Sequence, residues 1–317
     1  MYVMRFICCW LRLRSLTINF NNYGYAKLMI VISRAHHTKG IVLLIFTTAI
    51  WGTSFPLLKQ VLQDLDPAAI LAVRFTIPAL AFAPYLHRIN LKLLRDGGLL
   101  GLIYFAECVL ALTGLETISA NRSAFLISLN VILVPILGGL LGRQLSMRII
   151  AAAIVAIAGI SILSWEGGGW GWGDMLTFGC AIGIAIYILT LEVIASRHRP
   201  LSLVAVQLAT MAVLSAGWAL LQLDGQLSQP LSEIKTHFST LLYLGLGVSA
   251  LPLWTQALAQ RWVSASEAAI LYTLEPVFAS AFSFVLLGET LGIRGVLGAG
   301  LILSATVLCQ FPDRASR

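Results

Sequence analysis

From residue 40 onward the chain is a succession of apolar runs, each about 20 residues long, with most charged residues gathered between them. A helix needs roughly 20 apolar residues to cross a bilayer. Ten such runs are present: Gly40 to Leu62, Pro67 to Leu86, Gly98 to Ile118, Ala120 to Gly142, Met147 to Trp165, Gly173 to Ile194, Leu201 to Leu223, Leu241 to Val263, Glu267 to Leu287 and Gly292 to Gln310. Lipid offers no hydrogen bonds, so each run must satisfy its backbone within its own segment, which means helix. A membrane barrel would alternate apolar and polar positions strictly, and these runs do not. The pattern predicts an all-α polytopic membrane protein with ten transmembrane helices.

The punctuation agrees. Asp66-Pro67, Arg199-Pro200 and Gln229-Pro230 put proline at or just before helix openings, where its missing N–H costs little. Gly167 to Gly169, with Gly171 and Gly173, read as a flexible linker between two halves. Trp170 and Trp172 suit the headgroup level. With the N-terminus inside and strict alternation, sixteen of the 21 Lys and Arg residues fall inside. Only Lys59, Arg122, Lys235 and Arg294 fall outside, and Arg74 lies within a run. This positive-inside bias predicts that both termini are cytoplasmic; the expected location is the plasma (inner) membrane of a bacterium, with a plastid envelope as the alternative. One span more or fewer would scramble the bias.

Composition narrows the class further. Of the 317 residues, 58% are hydrophobic and 11% charged, against about 25% charged in soluble domains. Mean hydropathy is +0.88. A soluble enzyme, a disordered chain and a disulfide scaffold are excluded. The formal charge of +7 sits on bases scattered singly between apolar runs, so it reads as loop charge and not as a nucleic-acid stripe. Cys8 and Cys9 are adjacent, and Cys108, Cys180 and Cys309 stand singly in or near apolar runs, without a CxxC pair. They read as small packing residues. Residues 1–39 contain no acid and carry Arg5, Arg12 and Arg14, which does not match a cleavable signal peptide. They read as a dispensable basic cytoplasmic tail, with Met29 a candidate true start.

Two stretches repeat. From Ser119 the chain reads SANRSAFLISLNVILVPILGGLLGRQLSMR, and from Ser264 SASEAAILYTLEPVFASAFSFVLLGETLGIR. At a shift of 145, Ser119, Ala120, Ala124, Leu126 and Leu129 match Ser264, Ala265, Ala269, Leu271 and Leu274. After a one-residue insertion, Leu140, Leu141, Gly142, Leu145 and Arg148 match Leu286, Leu287, Gly288, Leu291 and Arg294. Five spans per repeat is an odd number, so the second half enters the membrane with opposite polarity. The expected layout is two inverted five-helix repeats, residues 40–166 and 174–311, joined by 167–173, with tails at 1–39 and 312–317. Inverted repeats of this kind place substrate near the midplane between the halves.

Trp51-Gly52-Thr53-Ser54-Phe55 with Lys59, then Arg74-Phe75, Leu140-Leu141-Gly142, Leu274-Glu275-Pro276-Val277 and Leu287-Gly288-Glu289 occur in that order. In these motifs, over about residues 40–310, the sequence resembles the EamA family of the drug/metabolite transporter superfamily. The resemblance implies a ten-helix carrier of amino acids, their derivatives or other small metabolites, often outward. Asn130-Val131 stands where the first half would usually carry Pro-Val, so substrate identity is not carried over.

A charge at the bilayer centre costs about 2.5–3.5 kcal/mol on insertion scales, so deep ionisable residues face protein or water. Arg74, Glu107 and Glu275 are such residues, and Asn130 is the repeat partner of Glu275. Arg74 has two readings: a clamp for a substrate carboxylate, or a structural partner of Glu107 or of backbone carbonyls. Glu107 is a proton-coupling carboxylate or the counter-ion of Arg74. Glu275, before the helix-kinking Pro276, lines a cavity or makes a polar packing contact, and is the other proton-coupling candidate. Asn130 is interhelical glue or a ligand contact. Trp51, Tyr104, Tyr187, Trp254, Gln256 and Tyr272 complete the candidate substrate site, since aromatics with a few polar groups make a small-molecule pocket. Tyr104 and Glu107 share a helical face, as do Tyr272 and Glu275. Lys59 and Glu192 read as snorkelling to the interface, and Gly138/Gly142 and Gly179/Gly183 as helix-packing pairs.

No P-loop and no GxGxxG after a strand occurs, so no ATP engine, metal or other cofactor is expected. The expected partners are a small-molecule substrate, the lipid bilayer and protons, in a monomer or homodimer. A membrane-embedded enzyme is the first alternative. His36, His37, His87, His198 and His237 all lie in loops or at span edges, which disfavours it. A channel or accessory subunit is the second, and no filter-like sequence supports it. Reporter fusions at the two ends are expected to report the same, cytoplasmic side; opposite sides would refute an even number of crossings.

Overall fold

The structure, a computed structural model, describes residues 22–87, 89–118, 120–143, 146–164, 170–222, 228–287 and 292–310. All regular secondary structure among them is helical. The chain divides into two units, residues 1–38 and 39–317. The described part of the first unit is the opening of α1 (Asn22–Gly52), which starts well before Gly40 because no proline interrupts the chain from 22 to 52. The expectations for Arg5, Cys8, Cys9, Arg12 and Arg14 fall outside the described residues, as do those for Gly167 to Gly169 and Gly288-Glu289.

In the second unit helices follow the apolar runs. After α1 come α2 (Ser54–Val61), α3 (Pro67–Phe82) with a 3-10 turn Ala83–Leu86, and α4 (Leu91–Thr117). Next are α5 (Ala120–Ser128), α6 (Asn130–Leu140), α7 (Met147–Ser164), α8 (Trp172–Ala195) and α9 (Pro200–Gln222). Then follow α10 (Ser228–Thr236), α11 (Phe238–Leu242), a π-helical segment Tyr243–Ala250 and α12 (Leu251–Ala259). The chain closes with α13 (Ala265–Tyr272), α14 (Glu275–Leu287) and α15 (Ile293–Gln310). The helix α10 lies outside the ten apolar runs, at the opening that Gln229-Pro230 marks. Among the described residues seven helical stretches are long and apolar enough to cross a membrane, and Met147–Ile162 and Ile293–Ala305 are shorter apolar helices. This is a multi-pass membrane protein.

Three of the runs are broken helices. Breaks fall at Thr53, at Leu129 and at Thr273-Leu274. Pro56 and Pro276 cannot donate to Gly52 and Tyr272, one turn back. At each break a side chain takes a carbonyl three residues behind it: Thr53 Oγ1 donates to Ile50 O at 2.7 Å, Asn130 Nδ2 to Ile127 O at 2.7 Å and Thr273 Oγ1 to Ile270 O at 2.6 Å. These side-chain donors thus find their acceptors inside the protein, as lipid requires.

Small residues set how closely the helices approach. A Cβ on Gly97 or Gly101 of α4 would lie 2.8 Å from Val206 or from Gln207 O of α9. A Cβ on Gly159 of α7 would lie 2.8 Å from Gly298 O of α15. Gly183 abuts Glu107, and Gly179 faces Leu110, as a packing pair should. Gly142 is different. It has φ 80° and ends α6 in a Schellman turn, with Arg143 N donating to Gly138 O at 3.0 Å and Gly142 N to Gly139 O at 2.9 Å. Its glycine is needed for a stop and not for helix contact.

Gly101→Ile is expected to destabilise the α4–α9 contact, by about 1–3 kcal/mol if the backbone shifts to accommodate it. Gly217→Ile meets nothing within 4 Å and serves as the control. Equal melting temperatures for the two purified variants would contradict this packing.

Candidate functional site

The broken helices meet around a cavity of about 120 Å3. Nine of the ten sequence-derived candidates line it: Trp51, Arg74, Tyr104, Glu107, Asn130, Tyr187, Gln256, Tyr272 and Glu275. Trp51 comes from the end of α1, Asn130 and Glu275 from the first residues of α6 and α14, and Tyr272 from the last of α13. The breaks thus present polar residues on free helix ends. Tyr272 and Glu275 reach the cavity across a break and not along one helical face.

Trp254 is the exception. It is half-buried and packs against the main hydrophobic core, outside the cavity lining. Trp254 and Gln256 are two residues apart, about 200° around a helix, so they cannot face the same way. Gln256 faces the cavity, and its Nε2 donates to Gln260 Oε1 at 3.3 Å.

Arg74 is 5% exposed. Its Nε donates to Ser249 Oγ at 2.7 Å, and its guanidinium carbon lies 5.5 Å from the Phe75 ring centre. Among the described residues no salt bridge joins it to Glu107 or Glu275. The expected alternative of an Arg74–Glu107 pair is therefore not what the structure has. Glu107 is equally alone: its Oε2 is buried with no hydrogen-bond partner. Asn130 spends its amide on Ile127 O, leaving Oδ1 unpartnered. Aromatic rings fill the walls. Trp51 and Tyr272 meet edge-on with centroids 5.2 Å apart, and Tyr104 and Tyr187 at 5.3 Å. Trp51 Nε1 donates to Val248 O at 3.2 Å, and Tyr187 OH accepts from Gln207 Nε2 at 2.8 Å.

Several lining residues escape sequence reasoning. Ser54, Phe55, Leu112 and the thiols Cys108 and Cys180 also face the cavity. Cys108 lies four residues after Tyr104, so the helical face already contained it; Ser249 had no such signal. Lys59 and Glu192 do more than snorkel. Lys59 Nζ donates to Leu115 O at 2.6 Å and Ile118 O at 3.1 Å. Glu192 pairs with Arg143 and accepts from Ala265 N at 2.8 Å.

The sequence profile of the EamA-like transporter family matches residues 38–165 and again 171–310. The chain belongs to the EamA-like transporter family. Among relatives, an uncharacterized transporter of Archaeoglobus fulgidus is 29% identical over 265 residues, 82% of either chain. The uncharacterized transporter YvbV of Bacillus subtilis is 27% identical over 291 residues, 86% of this chain and 91% of its own. A solved crystal structure superposes with a TM-score of 0.71 over 88% of this chain and 98% of its own, at 18% identity, which speaks to the fold alone. This EamA-like protein is a membrane transporter, and its family and relatives point to movement of a solute and not to catalysis.

An unpartnered buried polar group costs about 1–3 kcal/mol. Glu107→Leu, of similar volume, is therefore expected to raise the melting temperature in detergent while impairing transport. A lower melting temperature would mean that the carboxyl is a structural element.

Proposed function

We propose that this transporter is a secondary active carrier of small metabolites such as amino acids or their derivatives, working outward by alternating access and driven by protons. The observation that carries the reading is the cavity itself, where a guanidinium without a counter-ion and a carboxyl without a donor line one small volume. Buried charge is too costly to keep without a use. Arg74 would hold a substrate carboxylate; Glu107 and Glu275 would exchange protons as water enters and leaves.

Two inverted five-helix halves, residues 40–166 and 174–311, suit the packing. Exchanging the halves turns α3·α9 and α7·α15 onto themselves and α6·α13 into α5·α14, and all four contacts are present. The breaks at Leu129 and at Thr273-Leu274 occupy repeat-equivalent positions. Polar ties sort by face under the ten-span threading. Arg122–Asp174 and Asp64–His237 (2.7 Å) join outer ends; Arg143–Glu192 and Asp96–His198 (2.8 Å) join inner ends. The same threading puts both termini in the cytoplasm of a plasma-membrane protein.

A cavity of 120 Å3 is smaller than the few hundred Å3 usual for ligand sites, so its walls must move to admit cargo. Cys108 and Cys180 report that movement. In a protein whose other three cysteines are serine, a membrane-impermeant thiol reagent is expected to label them more slowly when substrate is present. Proteoliposomes loaded with labelled amino acids should show efflux that a pH gradient accelerates in the wild type and not in Glu107→Gln. No solute movement by the purified chain would point to an accessory subunit.

A further inference from the structure

We infer that Ser249, in the π-helical segment, is the positioning residue that aims Arg74 and thereby selects cargo bearing a carboxylate. This rests on the carrier reading above.

The argument begins with helix geometry. In α-helices a Ser or Thr hydroxyl reaches the carbonyl four residues back, as Thr48 does to Leu44 O at 2.7 Å and Ser128 to Ala124 O at 2.8 Å. Ser249 reaches five back, donating to Leu244 O at 2.9 Å, because the segment Tyr243–Ala250 is π-helical. Such turns occur often at functional sites. With its proton committed to Leu244, the hydroxyl can only accept from Arg74, and Nε–H donates to it at 2.7 Å. Arg74 Nε has no other proton to give. Its two terminal nitrogens make no hydrogen bond to any described residue, and the residue lines the cavity. One edge of the guanidinium is fixed, and Phe75 lies beside it; the remaining donors form a fork that fits a planar carboxylate.

The same segment braces the backbone. Pro78 has no N–H for Arg74 O, and Gly245 closes on that oxygen so tightly that a Cβ would lie 2.8 Å away. Pro252 likewise has no N–H for Val248 O, which accepts from Trp51 Nε1 instead. Ser249 is fully buried, so this bracing is shielded from water. A carboxylate would supply the countercharge that no neighbouring side chain supplies, whereas a neutral amide of the same size would leave Arg74 unpaired.

Full-length protein in nanodiscs tests this with L-alanine, L-serine and L-cysteine and their carboxamides. The wild type is expected to bind at least one free acid at least about tenfold more tightly than its amide, the scale of a hydrogen bond to a charged group. Ser249→Ala should weaken acid binding about tenfold and leave the amide unaffected, and in proteoliposomes it should raise the KM for the acid with the maximal rate little changed. In an Arg74→Lys background Ser249→Ala should add nothing, since no Nε remains to be aimed; a merely structural serine would cost as much there as in the wild type. Equal losses for acid and amide, an additive double variant, or no acid bound by the wild type overturns the inference. The two readings fail separately. Proteoliposomes that show no efflux of the bound acid, alongside Ser249-dependent acid binding, sink the carrier and keep the clamp. Thiol labelling that alternates between faces, without acid binding, does the reverse.

Discussion

Hydrocarbon supplies no hydrogen bonds, and every polar group in this chain that lies at membrane depth has to find its partner inside the protein. Most of the architecture is a response to that constraint. Where α1, the Ala120–Leu140 stretch and the Ala265–Leu287 stretch break, threonine and asparagine side chains take up carbonyls at the break. Where Pro252 withholds a proton from Val248 O, a tryptophan from α1 provides one. Polar atoms that lack a partner are few among the described residues, and Glu107 Oε2 and Asn130 Oδ1 both belong to residues lining one cavity.

That concentration gives the cavity its character. A soluble protein can leave a lone arginine to water, but here the guanidinium is held by a serine beside an aromatic ring, and the residue lines a small cavity. The acids stay beyond ion-pair distance, so the charges do not neutralise one another. Close helix contacts at Gly97, Gly101 and Gly159 make rigid pairs of α4 with α9 and of α7 with α15.

The ends of the helices carry a different set of interactions. Arg143–Glu192 is a partly exposed side-chain pair, the kind worth little in stability, whereas Arg122–Asp174 holds a buried carboxylate. Lys59 bonded to the carbonyls that end α4, and Glu192 bonded to the first amide of α13, tie helix termini that would otherwise leave orphan groups.

Much of this was legible before any coordinates. Run length and the cost of a charge in lipid are one-dimensional facts, so the helices and the deep residues Arg74, Glu107, Asn130 and Glu275 could be read directly, and prolines marked the openings. Helical spacing placed Tyr104 with Glu107, and it also shows why Trp254 had to turn away from Gln256. Tertiary structure alone decided what pairs with what. Ser249 is 175 residues from Arg74, and a serine in an apolar run bears no mark of its partner. The π-helical turn that brings them together depends on Gly245 closing on a carbonyl of another helix. Sequence carries the free-energy cost of burying a group; only the packed helices reveal which groups offset that cost and which are left facing a cavity.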